Sequence, residues 1–92
     1  MSAILQIDPQ RLTIRGDWTV SQVVSQWPLL AECKAATLDL SKLKRIDSAG
    51  IAAIITALKP EPSHPLKIEH CPEQAKQLFE LYELNPLLQF EK

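Results

Sequence analysis

One stretch of this chain, Thr37 to Lys59, joins a short apolar strand to a helix that carries almost no charge. The strand, Thr37-Leu38-Asp39-Leu40, leads into a loop before the helix begins. Aliphatic residues recur at helical spacing and predict the side that faces a core: Ile51, Ile54, Ile55 and Leu58. Pro60 ends the helix, because proline cannot continue it. The sequence therefore predicts a strand-loop-helix unit that the rest of the chain supports.

The opposite stripe of this helix consists of small residues, where a solvated helix would normally carry Lys, Glu or Gln. Its members are Ala49, Ala52, Ala53 and Thr56. Small side chains let another backbone approach closely and lose little conformational entropy on docking. Two interpretations remain open: the stripe contacts another protein, or other segments of this chain cover it.

The helix begins at the segment Ile46-Asp47-Ser48-Ala49-Gly50. The side chain of Asp47 or Ser48 can accept a hydrogen bond from the first free amides of the helix. A phosphate on Ser48 would meet the same amides, but it would place about two negative charges beside Asp47. Ser48 is therefore either a helix cap or a phosphorylation switch.

The other segments follow from their periodicity and their turn residues. Residues 3–8 and 12–15 predict a β-hairpin, and residues 66–70 predict a strand with Leu66 and Ile68 inward. Helical spacing predicts a helix from Val20 that kinks or breaks at Pro28, and a last helix from Pro72 to about Leu84. The first has one apolar stripe of Val20, Val23, Val24 and Trp27, and the last has a buried stripe of Ala75, Leu78, Phe79 and Tyr82. In the first of these helices Trp27 is expected in the core, whereas Trp18 stays open between core and interface.

The predicted order is β-β-α-β-α-β-α, with an optional final strand at residues 87–90, in one α/β domain spanning residues 1–92. Crossovers of this length join parallel strands, so we expect a mixed sheet covered by helices.

The charge balance excludes some classes of function. Ten Lys and Arg against eleven Asp and Glu give a net charge of −1, which provides no field to attract nucleic acid or an anionic membrane. The chain lacks an apolar run of about 18 residues and a basic leader, so we expect no membrane span and no signal peptide. Cys33 and Cys71 are expected to be reduced thiols in the cytoplasm.

Few residues suggest catalysis or metal binding. Asp39 and Asp47 form a conceivable carboxylate pair, but no nucleophile or glycine-rich loop accompanies them. His70-Cys71 falls short of the usual zinc spacing. We therefore predict no catalytic residue, metal or cofactor. The basic run 42–45 is either simply solvated or faces an acidic surface of a partner.

Two segments, Asp39-Leu40-Ser41 and residues 46–51, resemble the signature of the STAS domain, which sulfate-transporter tails and anti-sigma factor antagonists share. That signature has a D-L-S strand end, a short loop and D-[ST]-x-G-[LI] at the start of a helix. The resemblance implies a STAS-like mixed sheet of four or five strands, with helices mainly on one face, and a non-enzymatic role.

Within this family the chain is most similar to the short STAS subunit of Mla-type ABC transporters, which handle phospholipids and thereby lipid asymmetry in the Gram-negative envelope. The resemblance implies a regulatory subunit that binds the cytoplasmic ATPase of a complex with a permease. It places Asp47, Ser48, Ala49 and Gly50 at that contact. With this resemblance we predict that the stripe residues Ala52, Ala53 and Thr56 bind the same partner.

The alternative is an anti-sigma factor antagonist in which a partner kinase phosphorylates Ser48. Such antagonists commonly have Asp-Ser-Ser-Gly-Leu, whereas this chain has Ala49 and Ile51.

Overall fold

A computed structural model describes residues 4–91 of the chain. Within them, three helices alternate with short strands: α1 (Val20–Ala31), α2 (Ser48–Leu58) and α3 (Glu73–Leu81). The strands are β1 (Leu5–Ile7), β2 (Arg11–Ile14), β3 (Gly16–Trp18), β4 (Thr37–Asp39), β5 (Leu43–Ile46), β6 (Leu66–Glu69) and β7 (Leu88–Glu91). A 3-10 turn, Asn85–Leu87, precedes β7. Ala3, where the first strand was predicted to begin, lies outside the described residues.

Five strands form a mixed sheet in the order β1-β2-β4-β6-β7. The predicted hairpin is confirmed as the antiparallel pair β1 and β2, and the other neighbours in this sheet are parallel. Leu12, Leu38 and Ile68 lie in register across adjacent strands and are fully buried. Residues of the opposite parity, such as Lys67 and Gln89, are exposed. The helices therefore cover one face of the sheet, and the predicted fold class is confirmed.

A second, two-stranded parallel sheet, β3 with β5, was not predicted. The predicted basic loop at residues 42–45 lies largely in β5, where Lys44 and Arg45 are both exposed. Three-residue strands such as β3 are too short to show an alternating pattern. The optional final strand is confirmed as β7.

Of the two outcomes predicted at Pro28, the structure shows no break: helix α1 continues through Pro28, and Leu30 in its last turn is fully buried. The prediction that Trp27 belongs to the core is wrong, since Trp27 is 37% exposed and Val20 and Val24 are more exposed still. Val23, a member of the predicted stripe, packs against the core together with Leu30, which follows it by seven residues.

Candidate functional site

The start of α2 is held by one carboxylate, that of Asp47. Its Oδ1 accepts a hydrogen bond from the backbone N–H of Gly50 at 2.9 Å, as an N-cap does. Its Oδ2 accepts a second bond from the N–H of Val20, the first residue of α1, at 3.2 Å. Asp47 therefore ties the starts of two helices together. Ser48, the first residue of α2, keeps its side chain exposed.

Gly50 lies where α2 and β3 approach closely. A Cβ at Gly50 would lie 2.3 Å from the carbonyl oxygen of Trp18 and 2.7 Å from its Cδ1. The indole Nε1–H of Trp18 donates to the carbonyl oxygen of Gly50 at 3.1 Å, and Trp18 is fully buried. The open question about Trp18 is thus answered in favour of the core.

Two of the residues predicted to contact a partner offer no surface for it. Gly50 is buried, and Ala53 is 5% exposed and packs in the hydrophobic core. For Ala53, of the two interpretations of the stripe, the one in which other segments of this chain cover it therefore holds. Helix α2 packs against both α1 and α3, so its buried arc is wider than the single stripe of Ile51, Ile54 and Ile55.

Ser48 and the remaining residues of the stripe line one surface groove. Ser48, Ala52 and Thr56 are exposed, and Ala49 is half-buried. They line a groove of about 590 Å³ between α2 and the end of α3, which we call the α2–α3 groove. Its lining is Ser48, Ala49, Ile51, Ala52, Ile55, Thr56, Tyr82 and Leu84. None of these residues carries a formal charge at neutral pH, so the groove can receive apolar groups.

Tyr82 is a member of this site that the sequence analysis missed. It was predicted in the buried stripe of the last helix, but α3 ends at Leu81 and Tyr82 is 48% exposed. The adjacent Leu81 is 69% exposed. The pair Asn85-Pro86 predicted the end of this helix only approximately, about three residues too late. Because Tyr82 lies beyond the observed helix end, it does not belong to the buried stripe. Tyr82 therefore adds an aromatic side chain to the lining of the groove.

A charged cluster lies at the ends of β4 and β6, and it shares no residue with the lining of the α2–α3 groove. Asp39, Glu69 and His70 have ligand atoms within 4.8 Å of one another, the one such group of three among residues 4–91. The guanidinium of Arg11 contacts Glu69 and lies 4.0 Å from Asp39, so these carboxylates already have a cationic neighbour. The cluster is therefore accounted for as an ion-pair network across three strands.

Hydrogen bonds set the protonation of Asp39. Burial alone would raise its pKa, but the backbone N–H of Ser41 at 2.9 Å and the His70 ring at 3.2 Å outweigh burial and lower the pKa below 3.8. Asp39 and Asp47 thus each have separate structural partners. Cys71 donates to the carbonyl oxygen of Pro72, and burial raises the pKa of its thiol to about 11. Cys71 is not in the charged cluster.

The five-stranded sheet, its helices and the strand-turn-helix unit at Asp47 define a STAS-type α/β domain. The solved structure of the anti-sigma factor antagonist SpoIIAA in its unphosphorylated form is similar, with a TM-score of 0.61 and 14% sequence identity. The match covers 96% of this chain and 86% of that one. At this identity the similarity shows the fold.

The family model described as "Mlab, STAS domain" matches residues 5–89, and the chain belongs to that family. STAS domain proteins are generally non-catalytic regulatory domains. No curated protein matches the chain. None of the helices in the described part is long and apolar enough to cross a membrane.

Proposed function

We propose that this protein is the non-catalytic STAS subunit of an Mla-type phospholipid-transporting ABC complex, and that it binds the cytoplasmic ATPase through the α2–α3 groove. The observation that carries the proposal is the uncharged groove beside the STAS signature at Asp47 and Ser48. The family description supports the transporter assignment.

The composition of the groove favours a protein partner. Charged residues make up 23% of the chain, yet none lines this groove. Interfaces between proteins are depleted of charge at their centre and enriched in aromatic residues, and Tyr82 supplies such an anchor at the groove edge. Ala52 and Thr56 let a partner backbone approach α2 closely. Asp47 contributes by holding the helix start, whereas Gly50 allows α2 to pack on Trp18.

The same contact defines how the subunit would act. A bound subunit shifts the ATPase between conformations only by the difference in its affinity for them. Docking that favours one ATPase conformation would support assembly or activity without any chemistry in this chain. The protein would then be cytoplasmic and peripheral to the inner membrane, held there by the ATPase and its permease.

The alternative function is that of an anti-sigma factor antagonist with a regulatory phosphate on Ser48. The exposed position of Ser48 at the first turn of α2 favours it, together with the similarity in fold to SpoIIAA. A phosphate there would put about two negative charges at the edge of an apolar groove and oppose docking. Under this alternative a partner kinase labels the wild type and not Ser48→Ala.

Affinity purification of the tagged chain from mildly solubilised membranes, with mass spectrometry of the proteins that co-purify, tests the proposal. We expect an ABC ATPase together with a permease. The variant Ala52→Glu serves as the negative control. It places a charge in the groove at an exposed position, so we expect it to recover much less ATPase than the wild type does. Recovery of a soluble kinase and no ATPase would support the alternative instead.

A further inference from the structure

A second groove, of about 780 Å³, lies where the β2–β3 turn, the β4–β5 turn and the first turn of α1 meet. We call it the basic groove, and its lining is Ile4, Arg15, Gly16, Asp17, Gln22, Lys42, Lys44 and Arg45. It shares no residue with the α2–α3 groove. The function proposed above does not use it.

Positive charge is concentrated in this groove. Four of the ten Lys and Arg residues of the chain line it, but only one of the eleven acidic residues does. That acid, Asp17, pairs with Arg45 at 3.0 Å between Oδ2 and Nη2, and this hydrogen bond lowers the pKa of Asp17. The groove is therefore cationic in a chain whose net charge is negative.

Three of its cations have no acidic partner within the chain as described. Among residues 4–91, no carboxylate oxygen lies within 4.0 Å of a side-chain nitrogen of Arg15, Lys42 or Lys44. Arg15 donates instead to the neutral amide oxygen of Gln6 at 2.5 Å. Like charges that converge on one concavity repel each other, and an anionic occupant would relieve this repulsion.

The groove adjoins the site proposed for the partner. Arg45 and Ser48 are three residues apart, so their Cα atoms are separated by at most about 11 Å. A protein that covers the start of α2 is therefore within reach of the basic groove.

We propose that the basic groove binds an acidic segment, rich in Asp and Glu, of the protein that docks on the α2–α3 groove. This inference rests on the proposed function for the identity of that protein, the ATPase. Carboxylates of the segment pair with Arg15, Lys42 and Lys44. Exposed charge pairs of this kind mainly accelerate association and select the partner.

The test measures binding of the ATPase subunit by biolayer interferometry at low and high salt. It compares the wild type with the double variant Lys42→Glu/Lys44→Glu and with a matched control of equal charge change, Lys34→Glu/Lys67→Glu, whose positions are exposed and outside the groove. We expect the groove variant to bind about tenfold more weakly at low salt, mainly through slower association, and the difference to shrink at high salt. The control should bind as the wild type does.

The outcomes separate this inference from the proposed function. If the ATPase binds the wild type and the groove variant equally, with the same salt dependence, the inference is wrong while the docking proposal stands.

If the ATPase does not bind the wild type at all, the proposed function fails. A titration of the ¹⁵N-labelled protein with octaglutamate then decides the inference, which requires shifts of the amides of Arg15, Lys42 and Lys44. Absence of these shifts, or a response of the groove only to phosphatidylglycerol vesicles, overturns it.

Discussion

One side chain, Asp47, accepts hydrogen bonds from the first turns of both α1 and α2. Replacement of an N-cap carboxylate by alanine costs about 0.5–2 kcal/mol, and here two helices lose an acceptor. We expect Asp47→Ala to lower the free energy of unfolding by about 2 kcal/mol in urea denaturation. Asp47→Asn keeps an acceptor oxygen and should lose much less. Equal losses in the two variants would show that capping is not the role of Asp47.

The change in stability caused by Gly50→Ala tests how closely α2 packs on β3. Alanine in place of a helical glycine normally stabilises a helix by about 1 kcal/mol. At this position the added Cβ would meet a backbone oxygen, that of Trp18, which cannot move aside as a flexible side chain would. We therefore expect Gly50→Ala to destabilise the protein by about 1–3 kcal/mol in thermal or urea unfolding. An unchanged or raised stability would contradict the close packing of α2 on β3.

The lowered pKa of Asp39 predicts a dependence of stability on pH. Because the folded protein holds this pKa below 3.8, ionised Asp39 stabilises the fold above that pH, and the contribution is lost as the pH falls through the lowered value. Asp39→Asn should lose about 1 kcal/mol at neutral pH, and its difference from the wild type should shrink as the pH falls through the lowered pKa. Urea denaturation at neutral pH and over a series of acidic pH values measures this. A difference that persists in acid would assign the loss to packing rather than charge.

The helices and the longer strands could be predicted because their periodicity extends over several residues. Strand β3 could not, since Gly16-Asp17-Trp18 is too short for alternation to appear. The sequence also could not predict how each helix is rotated about its axis. Trp27 and Ala53 each lie on a helical stripe, and whether such a stripe is buried depends on which elements pack beside the helix. Both α1 and α3 pack against α2, and Ala53 is therefore buried.

Two neighbouring alanines of α2 test this orientation directly. Ala53→Glu would bury a carboxylate in the core without a partner, which a domain of this size does not tolerate, so we expect it to unfold. Ala52→Glu places the same charge on an exposed position and should retain the wild-type fold. Circular dichroism and thermal unfolding distinguish the two. A folded Ala53→Glu or an unfolded Ala52→Glu would show that α2 is rotated from its described position.

The whole molecule presents two surfaces of opposite character that meet near the start of α2. Three residues of the STAS signature, Ser48, Ala49 and Ile51, line the first of these surfaces. The groove itself was not predictable, since Tyr82 and Leu84, which follow the end of α3, line it together with residues of α2 that are distant in sequence. The basic groove was not predictable either, because it combines turns that are far apart in the chain. The sequence showed only that residues 42–45 form a basic run.

The central claim is that the α2–α3 groove is the docking surface for the ATPase. Isothermal titration calorimetry of the purified ATPase subunit with the wild type and with Ala52→Glu tests it most directly, provided that both proteins are shown to be folded. We expect the wild type to bind and Ala52→Glu to bind at least tenfold more weakly, a loss of about 1.4 kcal/mol or more, because a charge would be desolvated in an apolar contact. Equal affinities of the two folded proteins would place the docking surface elsewhere and contradict the proposed function of the groove.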